Sequence, residues 1–134
     1  MRALLDTSVL VALSELGEST PDLSDIDYLL VSTLSFAELV IGIHAATNVS
    51  IVRHRIARLS MLRQTLGQGL PFDESCMRAY EQILTHVSDN GGDAKARRFD
   101  RLIAATALAH DATLITRNFE HVANLSALLA IEVR

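Results

Sequence analysis

The stretch Arg2-Ala3-Leu4-Leu5-Asp6-Thr7-Ser8-Val9-Leu10 decides the fold of this chain. Apolar residues lead into a carboxylate, two hydroxyl residues follow it, and a new apolar run then begins. This pattern predicts a short buried strand, a turn and a helix, with Thr7 or Ser8 capping the helix. Asp6 would then stand at the carboxyl end of a central strand, the edge at which open α/β sheets bind ligands. The alternative is that Asp6 merely closes the turn and helps to cap the helix.

The composition limits the architecture and the partners. The 134 residues fit one domain over 1–134, and its core must be aliphatic, because 49% of the residues are hydrophobic but only 4% aromatic. Cys76 is the only cysteine, which excludes a disulfide framework and fits a reducing cytoplasm. Asp6 interrupts the apolar start, and no run reaches the roughly 18 apolar residues of a membrane span. The net charge of −4 argues against a protein that coats nucleic acid but permits a nuclease with local basic groups.

Apolar patterns alternate between strand and helix along the rest of the chain, after an acidic loop predicted over 16–27. The further predicted strands are Tyr28–Thr33, Thr113–Thr116 and Leu128–Val133. The further predicted helices are Ser35–Ala46, Ile51–Leu66, a helix capped by Asp73 that runs to Asp89, and Phe99–His110. This order predicts a three-layer α/β/α domain with a mostly parallel central sheet.

Three acidic residues are out of place for a solvated surface. Asp6 ends the first strand, Glu38 falls in the first turn of the helix after the second strand, and Asp100 begins an Ala-rich helix. Helices that follow parallel strands begin at the carboxyl edge of the sheet, so Glu38 and Asp6 should share that edge. Asp100 reaches the same edge if its helix packs toward it. The sequence therefore predicts one acidic cleft.

Three carboxylates share a partly dry cleft only if a cation neutralises them, because otherwise their pKa values rise and protons bind. Mg²⁺ and Mn²⁺ take oxygen ligands, and a water activated by such a metal can attack a phosphodiester. Each residue also has a structural explanation. Ser35 and Glu38 match an S-x-x-E capping box, and Asp100 favours the positive N-terminal end of its helix. The convergence of all three on one edge favours the metal site.

Four segments carry a family resemblance. They are Leu5-Asp6-Thr7-Ser8, Ser35-Phe36-Ala37-Glu38-Leu39, the helix segment Asp100-Arg101-Leu102-Ile103-Ala104-Ala105-Thr106-Ala107-Leu108-Ala109, and Ala112-Thr113-Leu114-Ile115-Thr116-Arg117-Asn118. In this order and at this spacing they span nearly the whole chain. The chain thereby resembles the PIN-domain ribonucleases of the VapC type, the toxic half of a bacterial toxin–antitoxin pair.

The resemblance implies a metal-dependent endoribonuclease with Asp6, Glu38 and Asp100 as its catalytic residues and as the ligands of Mg²⁺ or Mn²⁺. It also implies an RNA substrate, a cognate antitoxin that occludes the site, and commonly a homodimer. The alternative is a non-catalytic module that has the PIN fold and binds RNA or a protein partner. The completeness of the acidic triad counts against that alternative.

The chain departs from the family pattern at the fourth acidic position. Relatives often carry Asp where Asn118 or His121 stands, and only Glu120 is acidic in this segment. We expect one tightly held metal, with Asn118 orienting a water on that metal. Glu120 would be at most an outer or low-affinity ligand.

Two groups of arginines are candidates for contacts with RNA. Arg98 and Arg117, together with Arg97 and Arg101, lie beside the acidic segments and either hold phosphates or pair with nearby carboxylates. The second group lies on the Ile51–Leu66 helix and is interpreted first as a solvated face. Its members are Arg53, Arg55, Arg58 and Arg63.

Overall fold

Strands and helices alternate along the chain as the apolar pattern predicts. The computed structural model describes residues 1–15 and 20–134, so part of the loop predicted over 16–27 lies outside the described residues. Within those ranges no helix is both long and apolar enough to cross a membrane. The elements are β1 (Arg2–Leu5), α1 (Thr7–Leu13), β2 (Tyr28–Val31), α2 (Thr33–Ala45), α3 (Val49–Leu66), α4 (Glu74–Asp89), α5 (Arg98–Ala109), β3 (Thr113–Thr116), two 3-10 turns (Phe119–His121 and Ala123–Leu125) and β4 (Ile131–Val133).

The four strands form one sheet in the order β2-β1-β3-β4, and every described pairing is parallel. Leu5 is in register with Val31 on one side and with Ile115 on the other. The residues that follow these three strand positions, Asp6, Ser32 and Thr116, therefore reach the carboxyl edge at the same level. Because each connection crosses over through helices, this edge collects side chains that are far apart in sequence.

The sheet separates two hydrophobic clusters because successive side chains of a strand point to opposite faces. Leu4 of β1 packs in one cluster with α4 and α5, including Ile103. Ala3 and Leu5 pack in the other with α1, α2 and α3, including Phe36. Helices thus cover both faces, which confirms the predicted three-layer α/β/α fold.

Two helix starts differ from the prediction. Helix α1 begins at Thr7 with Asp6 in the N-cap position and without a side-chain cap bond, so neither Thr7 nor Ser8 caps it. Helix α2 begins at Thr33, where the hydroxyl of Ser32 accepts from the N–H of Leu34 at 3.0 Å. The capping box predicted from Ser35 and Glu38 is wrong, because both residues lie inside the helix. The capping role therefore does not explain the presence of Glu38.

The arginines of α3 are only partly a solvated face. Arg55 donates to the carbonyl oxygen of Gly42 at 2.5 Å, and the guanidinium of Arg63 lies 5.2 Å from the ring centroid of Phe36. Burial lowers the pKa of Arg58, and the charge of Arg55 lowers it further. Arg53 is exposed. Arg55 and Arg63 thus contact α2 through their guanidinium groups, and Arg58 is half-buried.

Candidate active site

Asp6 is the best-fixed member of the acidic set. It follows β1, is only 7% exposed, and its backbone N–H donates to the carbonyl of Ile115 at 2.9 Å. Its Oδ2 accepts from the hydroxyl of Thr116 at 2.8 Å and from that of Ser8 at 2.9 Å. Two donors on one oxygen hold the plane of the carboxylate, so the side chain is oriented rather than merely located.

The two hydroxyls that hold Asp6 are themselves held by the chain beyond β3. Ser8 Oγ accepts from the backbone N–H of Arg117 at 3.0 Å, and Thr116 Oγ1 accepts from that of Asn118 at 3.0 Å. The sequence pattern indicated Ser8 only as a possible helix cap, and it indicated no separate role for Thr116. Their role could be recognised in the sequence only from their position, since each is a hydroxyl residue next to the carboxyl end of a predicted central strand.

Glu38 lies in the second turn of α2 and faces α1. Its Oε1 accepts from the hydroxyl of Thr7 at 2.7 Å, which ties the two helices together at this edge. Burial raises the pKa of Glu38 above its ordinary value. The bond from Thr7 opposes that rise, and the negative charges of Asp6 and Asp100 add to it. Glu38 is therefore close enough to Asp6 and Asp100 for their charges to act on it.

Asp100 lies in the first turn of α5 and is half-buried. Burial raises its pKa, and the negative charge of Asp6 raises it further. The charges of His121, Arg97 and Arg101 oppose this rise. His121 Nδ1 lies 3.6 Å from Oδ2 of Asp100, at the first 3-10 turn after β3. The structure thus brings the three predicted acidic residues to one edge.

The three carboxylates influence one another electrostatically, but they are not arranged as a complete metal-binding site. In residues 1–15 and 20–134, no group of three acidic, histidine or cysteine side chains is already placed to hold a metal ion. The fit to a cation comes from the chemistry of the donors, because the negative charge of Asp6 raises the pKa values of Glu38 and Asp100, and the three side chains supply only oxygen ligands. A divalent cation would neutralise these negative charges and bind the carboxylate oxygens.

The other predicted site residues surround this edge. Asn118 is half-buried directly after β3, and Glu120 is exposed, with its Oε1 3.8 Å from Nε2 of His121. Arg98 is exposed as the first residue of α5. Arg117 is half-buried, and its main chain joins the hydroxyl network through Ser8. All four lie on segments adjoining Asp6 or Asp100.

The raised pKa values of Glu38 and Asp100 predict how pH changes the stability of the metal-free protein. Both carboxyls bind protons more readily in the folded than in the unfolded state, so their protonation stabilises the fold. This contribution to the free energy of unfolding is fully present below their ordinary pKa values of 4.5 and 3.8. It is lost as the pH rises through their raised pKa values. At neutral pH, Glu38→Gln should therefore raise the melting temperature of the metal-free protein.

Thermal melts across this pH range, with chelator present, measure the effect. The matched control is Glu81→Gln, which removes a charge from an exposed position of α4. An equal gain from both substitutions, or a loss at Glu38, would contradict the account of carboxylate repulsion.

Known proteins resemble this chain in sequence and in fold. A family model for the PIN domain matches residues 3–125, so the chain belongs to the PIN domain family. Ribonuclease VapC5 of Mycobacterium tuberculosis is 28% identical over 130 residues, which cover 97% of this chain and 92% of the relative. Toxin FitB of Neisseria gonorrhoeae is 34% identical over 90 residues, 66% of this chain and 63% of FitB.

A solved structure extends the similarity to the whole chain. The crystal structure of VapBC-5, a member of the VapBC family of toxin–antitoxin systems from Mycobacterium tuberculosis, matches with a TM-score of 0.79 at 27% identity. The match covers 99% of this chain and 98% of that one. The family resemblance drawn from the motifs is thereby confirmed.

Proposed function

We propose that this chain, a single PIN domain over 1–134, is a metal-dependent endoribonuclease. It acts as the toxin of a bacterial type II toxin–antitoxin pair and is neutralised by a cognate antitoxin. The observation that carries the proposal is the convergence of Asp6, Glu38 and Asp100 on one sheet edge of a PIN domain. The relatives named as a ribonuclease and a toxin support it. Its site of action would be the cytoplasm, where RNA is accessible.

Asp6, Glu38 and Asp100 would hold Mg²⁺ or Mn²⁺ through carboxylate oxygens, which hard cations prefer. Such an ion, when bound, supplies Lewis-acid activation of water and neutralises charge on the phosphodiester. The protein contributes orientation. Thr116 and Ser8 keep the Asp6 carboxylate in one plane, and Thr7 holds Glu38 against α1. A fixed ligand set avoids the cost of reorganising side chains during the reaction.

The substrate would be positioned by cations beside the acidic cleft. Arg98 and Arg117 lie next to Asp100 and to the hydroxyl network, respectively. Their role would be to contact backbone phosphates, which fixes the register of an RNA strand without reading its bases. Local basic groups of this kind are compatible with the overall charge of −4.

A metal titration of RNA cleavage separates an enzyme from a non-catalytic PIN-fold module. The purified chain should cleave RNA with Mg²⁺ or Mn²⁺ and stop when a chelator is added. Mapping the 5′ ends of cellular RNA after induction would identify the sites. RNA binding without any new ends, at saturating metal, would favour the interaction module instead.

An exposed apolar stripe beside Glu38 is the proposed antitoxin surface. Ala37, Val40 and Ile41 lie at helical spacing on the solvent side of α2, and Ile41 stands one turn after Glu38. Ile56 of α3 adds a further exposed apolar residue. An amphipathic helix of the antitoxin would bury this stripe and offer Arg or Lys to the acidic cleft.

The toxin would also form the homodimer that the resemblance implies, which light scattering of the purified complex can test.

The fourth acidic position yields a separate prediction about metal number. Three carboxylates already exceed the charge of one divalent cation, and Asn118 adds no charge. Because Glu120 is exposed, we expect Glu120→Gln to weaken cleavage far less than Asp6→Asn, and Asn118→Asp to tighten or add metal binding. Cleavage rates measure the first effect, and calorimetry with Mn²⁺ measures the second and the number of metal sites. Two tight sites in the unmodified chain, one of them lost in Glu120→Gln, would make Glu120 the fourth ligand.

A further inference from the structure

An imidazole lies beside the acidic site. His121 ends the first 3-10 turn, which follows β3 at the carboxyl edge of the sheet. Its Nδ1 lies 3.6 Å from Oδ2 of Asp100, and the two side chains are 27% and 23% exposed, respectively. Both are partly shielded from bulk water but remain accessible to an ion. The fold therefore places a nitrogen donor next to one of the three carboxylates.

The separation of these two atoms is not that of a hydrogen bond. N–H···O bonds span about 2.7–3.2 Å, so a separation of 3.6 Å is too long for one. Divalent metal ions hold nitrogen and oxygen ligands at about 2.1 Å, which places neighbouring ligand atoms roughly 3.0–3.4 Å apart. Nδ1 of His121 and Oδ2 of Asp100 are therefore only slightly further apart than two ligands of one ion.

The other ring nitrogen of His121 faces a second carboxylate. Its Nε2 lies 3.8 Å from Oε1 of Glu120, whose side chain is 73% exposed, so that a small rotation would close the remaining gap. A histidine that binds a metal usually donates its second ring N–H to a carboxylate, a carbonyl or water, which fixes the tautomer and the ring orientation. Glu120 is in position to accept this N–H, while the lone pair of Nδ1 is directed toward Asp100.

We propose that His121 is a nitrogen ligand of the metal ion held by Asp6, Glu38 and Asp100. Among the residues that the structure describes, no group of three is already placed around an ion, but the pair of Asp100 and His121 is close to the required spacing. This inference rests on the metal site of the proposed function. It adds to that site a ligand of a different chemical class.

A nitrogen ligand changes which ion the site prefers. Three carboxylates alone supply oxygen donors, which suit Mg²⁺ and Mn²⁺ alike. Imidazole is a ligand of first-row transition metal ions, whereas Mg²⁺ prefers oxygen ligands and retains several of its waters. His121 therefore makes the site selective for a transition metal ion such as Mn²⁺ over Mg²⁺.

Calorimetric titration of His121→Ala with Mn²⁺ and, separately, with Mg²⁺ tests the inference. We expect the Mn²⁺ affinity to fall about tenfold or more, since losing even a partner that supports a metal ligand costs about ten- to a hundredfold. The Mg²⁺ affinity should change by less than about twofold, because Mg²⁺ does not depend on the imidazole. His54→Ala removes an exposed histidine from α3, and this matched control should leave both affinities unchanged.

Other roles of His121 predict different results in the same titrations. A histidine that only neutralises Asp100 competes with the ion, so its removal would tighten the binding of both ions equally. A histidine that only supports the local fold would, when removed, weaken the binding of both ions equally. Either result would overturn the inference.

Pulsed electron paramagnetic resonance of the unmodified chain loaded with Mn²⁺ gives a readout that does not depend on the folding of a variant. We expect nitrogen hyperfine coupling to Mn²⁺, which should disappear in His121→Ala and persist in His54→Ala. Bound Mn²⁺ without this coupling would overturn the nitrogen ligand alone and leave the metal site of the proposed function intact. Failure of both ions to bind the unmodified chain would refute that metal site and the nitrogen ligand together.

Discussion

Asp6→Asn is expected to reduce RNA cleavage by about a thousandfold or more and to abolish toxicity, while the chain stays folded. The amide keeps the shape of the carboxylate, so the hydroxyls of Thr116 and Ser8 can still donate to its oxygen. What is lost is the negative charge that would hold the cation. Cleavage rates at saturating Mg²⁺ or Mn²⁺, together with circular dichroism, measure the two parts of this expectation.

The matched control for this substitution is Asp111→Asn. Asp111 is exposed and precedes β3, away from the carboxyl edge, and its φ of 51° is one that asparagine adopts readily. The control should therefore keep both stability and cleavage. Near-normal cleavage by folded Asp6→Asn with metal supplied would refute the assignment of Asp6 to the metal site. Asp100→Asn should behave as Asp6→Asn does.

Replacing the apolar stripe of α2 is expected to weaken antitoxin binding by about a hundredfold. The change is Val40→Gln combined with Ile41→Gln, which keeps good helix formers but removes the exposed apolar side chains of both residues, 41% and 56% exposed. Truncation of a hot-spot contact at the centre of an interface costs about 2 kcal/mol or more, and two adjacent residues are changed here. Titration calorimetry with the purified antitoxin gives the dissociation constant.

Met77→Gln is the control for the antitoxin surface, because Met77 is 44% exposed on α4, in the opposite layer of the fold. It should leave the affinity unchanged. The partner itself is obtained by co-expressing the small gene next to the toxin gene, which should yield a stable complex. Unchanged affinity of the α2 variant, or equal losses in both variants, would place the antitoxin on another surface.

The two serines before Glu38 illustrate where sequence reasoning failed. Ser35 and Glu38 fit a capping box by spacing, yet Ser32 caps α2. The helix begins earlier because β2 ends at Val31, whose carbonyl accepts from the N–H of Leu70 at 2.7 Å. Leu70 lies 39 positions further along the chain, so its effect is not readable from the local pattern. The wrong capping box had a consequence, because it assigned Glu38 a role at the start of the helix that this residue does not have.

The hydroxyl residues and Arg101 illustrate a different limit. Local spacing predicted that Asp6 ends a strand and that Asp100 begins a helix, because strand and helix periodicities depend on residues at most four positions apart. The bond from Thr116 to Asp6 depends instead on the parallel register of β1 and β3, which joins positions 110 apart. Burial of Arg101 likewise depends on the fold of the α4–α5 connection.

The sequence by itself determined the alternation of strands and helices, the aliphatic three-layer architecture, and the placement of Asp6 and Glu38 at one edge of the sheet. Each of these follows from apolar periodicity and from the rule that parallel strands end at a common edge. The tertiary structure decided that Asp100 lies within reach of the charge of Asp6, how Asp6 and Glu38 are oriented, and that Arg101 is buried. Such contacts join side chains from elements distant in sequence, and their energies depend on burial and on distances of a few ångströms, neither of which a linear pattern contains.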